Sequence, residues 1–190
     1  MIEEIKDKVT KKLKDYPERL KHVLGVYETS INLAKAHHLD INKVSIAALY
    51  HDYAKYDKFE DQMKYLDLEI IKAYVDTPVI YHAFAAAKAL EVDFKIYDSE
   101  VLNAIKYHVW GRIGMADIEK VILISDSCEP NRKFEDAKYI YEIALKDLDL
   151  ACELVMKASI DYLKSKGIVP AEEQLNAYTY YMEVNRGKTE

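Results

Sequence analysis

The chain has 190 residues, the length of a single domain that can bury its own hydrophobic core. Half of its residues are hydrophobic and 32% are charged, which excludes bulk disorder, and the 5 Gly and 4 Pro are too few for a many-stranded β protein. The net charge of −6 argues against a general nucleic-acid or anionic-membrane binder, because both functions favour basic surfaces.

Apolar residues recur at helical spacing along almost the whole chain, which predicts an all-α fold. Asp40 and either Asp98 or Ser99 are placed as N-caps, Pro130 as a helix stop, and Gly167 as the residue after a helix. The predicted elements, in chain order, are a Lys-rich amphipathic segment over 1–14, helices over about 17–37 and 40–55, short helices within 56–76, helices over about 77–92 and 98–108, a loop over 111–114, a helix over 115–129, two helices within 137–166, and a last helix over about 170–185.

These elements sum to a compact single-domain bundle of roughly eight to ten helices. We expect residues 1–15 to form an N-terminal helix, residues 16–168 to form the core, and residues 169–190 to form a C-terminal helix that packs on the core or on a dimer partner.

The compartment is also an expectation from the sequence. Cys128 and Cys152 are too few for a disulfide framework and fit a reducing environment. The first twenty residues contain no apolar stretch of the secretory-signal type, and apolar runs such as Val121–Ile124 are too short to cross a bilayer. We therefore expect a cytoplasmic protein that binds neither nucleic acid nor membranes.

Polar residues interrupt the apolar stripes of five predicted helices and face the interior. They are His22, the pair His51-Asp52, His82, His108, and Ser125 or Asp126. A buried carboxylate or imidazole without a partner is costly, and four histidines and two aspartates that met at a metal would remove that cost together. Such a mixture suits Fe, Mn, Zn or Co better than Ca²⁺.

A structural interpretation stands beside the metal site. A single inward His is usually a core residue bonded to a carbonyl group, and an inward Asp is usually a cap or an ion-pair partner. The spacing by itself leaves both interpretations open. His37 and His38, at a predicted helix end, are interpreted as solvated residues or as residues stabilised by the helix dipole, and not as ligands.

The order of these residues resembles the signature of the HD-domain superfamily of metal-dependent phosphohydrolases, which is a lone His, a His-Asp doublet and a later Asp. The surrounding segments are more specific than the doublet. They resemble the YqeK branch, whose members are symmetrical bis(5′-nucleosyl)-tetraphosphatases, at RLKHVLGV (19–26), AALYHDYAK (47–55), YHVWGRIGM (107–115) and SDSCEPNR (125–132). The similarity runs from about residue 16 to residue 167.

The resemblance implies an HD-type core over 16–168 and a centre of two metal ions, iron in the first place, with Mn, Co or Zn as alternatives. Carried over by motif, the ligands are His22, His51, Asp52, His82, His108 and Asp126. Asp52 would bridge both ions, with His82 and His108 on one of them and the remaining ligands on the other. A hydroxide bridging the ions would attack a β-phosphorus, so that diadenosine tetraphosphate yields two ADP.

The motif context also implies roles for positive side chains near the ligands. Lys55 and Arg112 would join Asp52 as catalytic residues, and Arg19, Lys55, Arg112 and Arg132 would bind the phosphates. For each cation the alternative is a surface salt bridge. Trp110, the single Trp, would stack on a nucleobase or pack in the core.

The resemblance also favours a homodimer acting on a small dinucleoside polyphosphate. The chain departs from the pattern at Ala86, where the family usually has Gly, and at Val109-Trp110, which stand in place of a Thr-Thr pair. These changes keep every expected ligand and leave the substrate preference open. The alternatives are therefore an HD-type nucleotidase, dNTP hydrolase or cyclic-nucleotide phosphodiesterase, and a non-catalytic helical nucleotide-sensing or interaction module, against which the intact ligand set argues.

Overall fold

A computed structural model of the chain describes residues 1–132 and 136–188. Within these residues the regular structure is helical throughout, which confirms the all-α prediction. The α-helices are α1 (Ile2–Lys12), α2 (Pro17–Ala36), α3 (Ile41–Tyr50), α4 (Phe59–Met63), α5 (Leu68–Ala73), α6 (Tyr81–Phe94), α7 (Ser99–Lys106), α8 (Asp117–Cys128), α9 (Ala137–Ala144), α10 (Leu148–Ser165) and α11 (Glu172–Gly187), with a 3-10 turn at Pro78–Ile80 before α6. The eleven helices among the described residues exceed the expected eight to ten.

Two helices, α3 and α8, form the centre of the bundle, and three of the six candidate ligands lie at their C-terminal ends. Every residue of α3 from Val44 to Tyr50 is buried, because α1, α2, α7 and α8 surround it. In α8 the run from Val121 to Ser125 is buried, between α2, α7, α9 and α10. A helix that is apolar on all sides is stable only in such a position. The His51-Asp52 doublet lies at the end of α3, and Asp126 lies in the last turn of α8.

The predicted caps are present where the sequence placed them. The side chain of Asp40 accepts hydrogen bonds from the backbone N–H groups of Asn42 and Lys43, at 2.8 and 3.2 Å. Asp98, and not Ser99, caps α7 in the same way. Gly167 has a positive φ of 71° after α10, as a glycine after a helix end should.

The predicted end of α3 at Lys55 is wrong. The α-helix stops at Tyr50, and the chain continues in tight turns whose N–H groups bond to carbonyls three residues earlier, such as Lys55 N to Asp52 O at 3.0 Å. The doublet therefore stands in the turns that directly follow α3 rather than inside the helix.

The terminal helices both pack on the bundle. Ile5 and Val9 of α1 are buried against α3. The helix α11 packs along α10 through Gln174, Ala177 and Tyr181, and the Tyr181 hydroxyl accepts a hydrogen bond from the backbone N–H of Met115 at 3.0 Å. Among the described helices, none combines the length and the apolar character needed to span a membrane.

Candidate metal centre

The side chain of Asp52 is the point at which the four interior histidines meet. It is 2% exposed. Its Oδ1 atom lies 3.1 Å from Nε2 of His82 and 3.6 Å from Nε2 of His108. Its Oδ2 atom lies 3.4 Å from Nε2 of His51 and 3.8 Å from Nε2 of His22. Segments that are distant in the sequence thus bring these side chains together in one cluster, and all of them face the interior as the interrupted stripes predicted.

Asp126 joins the cluster on the side of His22. Its Oδ1 atom lies 2.9 Å from Nε2 of His22 and 3.9 Å from Nε2 of His51. Its side chain is 19% exposed, so this edge of the cluster opens toward solvent. A substrate that reaches the cluster can approach from this edge.

The backbone fixes the tautomer of three of the four imidazole rings. Each of these rings has its Nδ1 atom 2.6–2.7 Å from the carbonyl oxygen three residues earlier, in the pairs His51–Ala48, His82–Val79 and His108–Ile105. A carbonyl oxygen can only accept, so Nδ1 carries the proton and donates it. In the neutral ring Nε2 is then a bare lone pair, directed at the cluster.

A nitrogen lone pair and a carboxylate oxygen that face each other repel unless a cation lies between them. His22 Nε2, His51 Nε2 and Asp52 Oδ1 are buried without a hydrogen-bond partner. The geometry defines two groups of potential ligand atoms, each within 4.8 Å, that share Asp52: one contains His22 and His51, the other His82 and His108. Imidazole nitrogens and carboxylate oxygens are the donor set of Fe, Mn, Co and Zn sites, so the residues fit two such ions.

The charges of the cluster shift the pKa values of its members. Burial opposes ionisation of Asp52, but the charge of His51 and the nearby His108 outweigh it and hold the pKa of Asp52 well below its usual range. Burial likewise opposes protonation of His51, but the charge of Asp52 raises its pKa. Burial lowers the pKa of His82 to about 4, which leaves this ring neutral near pH 7, the form that binds metals.

Three of the expected cations border the cluster. Arg19 donates from Nη1 to Asp52 Oδ2 at 2.7 Å. Lys55 Nζ lies 3.3 Å from His82 Nε2 and 3.9 Å from Asp52 Oδ1. Arg132 donates to the backbone oxygen and the Oδ1 atom of Asp126, at 2.7 and 2.6 Å. Each of these side chains can reach an anion held beside the cluster.

Arg112 has a different partner from the other cations. Its Nε and Nη2 atoms donate to the two carboxylate oxygens of Glu119, at 2.8 and 2.7 Å, and its guanidinium lies 5.0 Å from the ring centre of Tyr107. Glu119 is 2% exposed and also accepts from Ala116 N. This ion pair fixes Arg112 in the loop between α7 and α8.

Trp110 packs in a small aromatic cluster. Its ring is 7% exposed and contacts a group that includes Ile80, Tyr81 and Phe84, with Tyr74 at 6.1 Å between ring centres. So little of the ring is accessible that a nucleobase has no free face to stack on. The structure supports the packing interpretation of Trp110 over the stacking one.

His37 and His38 lie outside the cluster, as expected, but His37 is not simply solvated. Its Nε2 atom donates to the carbonyl oxygen of Ala144 at the end of α9, at 2.6 Å. His38 has a positive φ of 56°, just after α2.

Sequence reasoning missed Glu129, which the structure places against His22. Glu129 is 1% exposed, and its Oε1 atom lies 3.1 Å from His22 Nδ1. The available signal was its place in the segment SDSCEPNR (125–132), directly before Pro130 at a helix end.

A cavity of about 430 Å³ lies beside this corner of the cluster. Thr29 and Asn32, on the turns of α2 that follow His22, form one wall, and Arg132 forms part of another. Its other lining residues are Cys128, Glu129, Pro130, Ala137, Lys138 and Tyr141. Burial raises the pKa of the Cys128 thiol to about 12, so this residue lines the cavity as a neutral group.

The chain is similar to known proteins over most of its length. The HD domain family model matches residues 19–156. Three proteins named symmetrical bis(5′-nucleosyl)-tetraphosphatase are similar to the chain. The Bacillus subtilis protein is 35% identical, over 76% of this chain and 79% of the relative, and the Halalkalibacterium halodurans protein is 36% identical, over 78% of this chain and 80% of the relative. The Staphylococcus aureus protein is 33% identical, over 95% of this chain and 94% of the relative.

A solved structure is also similar over nearly its whole length. It is a crystal structure from Clostridium acetobutylicum described as a predicted HD superfamily hydrolase involved in NAD metabolism. The TM-score is 0.86 at 29% identity, with 96% of this chain and 97% of that chain covered.

Proposed function

The chain belongs to the HD-domain family, and from that premise we propose that it is a metal-dependent hydrolase that cleaves dinucleoside tetraphosphates symmetrically, converting diadenosine tetraphosphate to two ADP. The observation that carries the proposal is the pair of ligand groups that share Asp52. The names of the three relatives support the substrate, because the chain spans at least 79% of each of them.

Six side chains would hold the ions. Asp52, His82 and His108 would bind one ion, and His22, His51 and Asp126, again with Asp52, would bind the other. The ions supply a water nucleophile of lowered pKa and positive charge for the phosphate oxygens. We propose iron as the metal, with Mn, Co and Zn as alternatives that the same donor set accepts.

The chain's own cations neutralise the rest of the tetraphosphate charge. Hydrolysis joins the oxygen of water to one central phosphorus and breaks the bond from that phosphorus to the oxygen between the two central phosphates. One ADP leaves with that oxygen and its electron pair, and the proton of the water is released. Lys55 and Arg19, beside Asp52, and Arg132, beside Asp126, stabilise the charge that develops on the phosphates.

Arg112 serves the same chemistry from the loop after α7. Glu119 holds its Nε and Nη2 atoms, so its third nitrogen, Nη1, is the one assigned to a phosphate. Together with Asp52 and Lys55 it completes the proposed catalytic set. With a net charge of −6 on the chain, a polyphosphate needs this local concentration of positive side chains.

The cavity beside Arg132 is the site that we assign to one nucleoside. Thr29 and Asn32 lie seven and ten residues beyond His22 on α2, which corresponds to about 10–15 Å along the helix. The outer phosphate, the ribose and the base of one nucleotide together are long enough to span that interval. The Asn32 amide offers hydrogen bonds to a base or a sugar, and the half-buried ring of Tyr141 offers an aromatic face.

The remaining assignments follow the family resemblance. We propose a cytoplasmic homodimer with its phosphohydrolase core over residues 16–168, flanked by the segments of residues 1–15 and 169–190, whose described parts contain α1 and α11. Light scattering on the purified chain measures its mass in solution, and a monomer at micromolar concentration would overturn the dimer.

A substrate panel tests the proposed function. The metal-loaded chain is incubated separately with diadenosine tetraphosphate, a dNTP, a nucleoside monophosphate and a cyclic nucleotide, and the products are separated by chromatography. We expect diadenosine tetraphosphate to be the preferred substrate and ADP its only product. Preference for another nucleotide would assign the site to an HD-type nucleotidase or phosphodiesterase instead.

A further inference from the structure

His22 differs from the other three histidines of the centre in what holds its ring. The Nδ1 atoms of His51, His82 and His108 face backbone carbonyls, whereas Nδ1 of His22 lies 3.1 Å from Oε1 of Glu129. His22 stands within α2, where the carbonyls of the preceding turn are used by the helix, so a side chain has to supply the acceptor.

Glu129 is held from its other oxygen as well. Oε2 accepts hydrogen bonds from the backbone N–H of Asn131 at 2.7 Å and from its Nδ2 at 2.8 Å. The Glu129 side chain is 1% exposed; its contact with His22 is buried, and its two hydrogen bonds with Asn131 are partly buried. The carboxylate is therefore fixed at both ends, between α2 and the turn after α8.

Gly25 provides the space that Glu129 occupies. It lies one helical turn after His22 in the interior of α2, where glycine is among the weakest helix formers. A Cβ atom there would come closer than 3.0 Å to Oε2 of Glu129, and would lie 3.1 Å from Asn131 Nδ2. The conflict involves a carboxylate that is locked by two other hydrogen bonds. Any larger residue at position 25 would push Glu129 away from His22.

We propose that Glu129 is the positioning residue for His22 and that Gly25 is the gap that lets it reach the ring. A carboxylate that accepts from Nδ1–H fixes the tautomer and the orientation of the imidazole and makes Nε2 a stronger ligand. The inference rests on the proposed metal centre, and it predicts that only one of the two ligand groups changes its metal affinity. Glu129 supports the group of His22, His51 and Asp52, and leaves the group of Asp52, His82 and His108 unchanged.

The test is a metal titration of Glu129→Gln, followed by measurement of bound metal after dialysis. Glutamine has one acceptor oxygen, so it cannot serve His22 and Asn131 together. We expect the wild-type chain to bind two ions, and the variant to bind one ion with unchanged affinity and the other about 10–100-fold more weakly. Glu119→Gln is the matched control, because Glu119 is also a buried Glu of the α8 region but contacts Arg112 instead of a histidine. We expect the Glu119→Gln variant to bind both ions with the affinities of the wild type.

Gly25→Ala tests the same inference with Glu129 still present. We expect it to weaken the binding of the ion held by His22, His51 and Asp52. In a chain that already carries Glu129→Ala, we expect Gly25→Ala to cause no further loss of affinity, because the obstructing carboxylate is then absent. Any of three results would overturn the proposal. Glu129→Gln could leave the affinity for both ions unchanged, it could lower the affinity for both ions equally, or the two substitutions in the double variant could lower the affinity additively. A wild-type chain that binds no metal would instead refute the proposed metal centre, so the two failures can be distinguished.

Discussion

The ion pair of Arg112 and Glu119 can be broken without changing any proposed metal ligand. Glu119→Gln keeps the shape of the side chain and removes its charge, so one of the two short hydrogen bonds loses its acceptor. Hydrogen bonds to charged groups contribute about 1.5–3 kcal/mol each, and the 37% exposure of Arg112 reduces this through solvent screening. We therefore expect the free energy of unfolding to fall by about 2 kcal/mol, which lowers the Tm by about 4–8 °C.

Thermal unfolding of the metal-free chain and steady-state kinetics are the two assays for this variant. If the pair aims Arg112 at a phosphate, Glu119→Gln should also lower kcat/KM by about tenfold, equivalent to about 1.4 kcal/mol, and Arg112→Ala should lower it further because the charge itself is lost. Asp161→Asn removes a charge from the solvent-exposed pair with Lys157 and should change the Tm by less than about 2 °C. A Tm for Glu119→Gln within about 1 °C of the wild type would refute the stability argument, and unchanged kinetics in Arg112→Ala would reduce Arg112 to a structural role.

Four further predictions follow from the site. Asp52→Ala should abolish activity and weaken binding of both ions, because both ligand groups share this carboxylate; retained activity would contradict the shared centre. Lys55→Ala should leave the metal content near normal and lower kcat. An unchanged kcat would mean that Lys55 has no catalytic role. Chelation should lower the Tm, since an ion present at about 100 times its Kd stabilises the fold by about 2.7 kcal/mol. An unchanged Tm would mean that the ions do not stabilise the fold. Asn32→Ala should raise the KM for the dinucleotide without changing metal affinity, whereas an unchanged KM would move the nucleoside out of the cavity beside Arg132.

The inward-facing histidines were predictable because each one interrupts an apolar pattern, whereas their assignment as metal ligands came from the family resemblance. His82 and His108 stand at positions where the helical period calls for an apolar residue, and a polar group at such a position needs a buried partner. The caps Asp40 and Asp98 were predictable for the same kind of local reason, since the hydrogen bonds they accept come from residues two and three positions later.

The features that the sequence did not reveal depend on how helix ends and loops are arranged in three dimensions. Glu129 is adjacent to His22 only because α8 packs on α2 across a difference of 107 positions, and its segment in the sequence gives no sign of that partner. Arg112 meets Glu119 because Gly111 and Gly114 turn the loop with positive φ values. The end of α3 was misplaced because the apolar pattern continues through Ala54, while the backbone already turns at His51.

The central claim is that the centre that shares Asp52 directs water to a central phosphorus of a dinucleoside tetraphosphate. The most direct measurement is hydrolysis of diadenosine tetraphosphate in ¹⁸O-labelled water by the metal-loaded chain, with mass spectrometry of the nucleotides. The account predicts ADP as the only product, with one label per pair of ADP molecules, located on the β-phosphate, and no label incorporated by Asp52→Ala. AMP and ATP as products, or turnover that persists in Asp52→Ala, would contradict it.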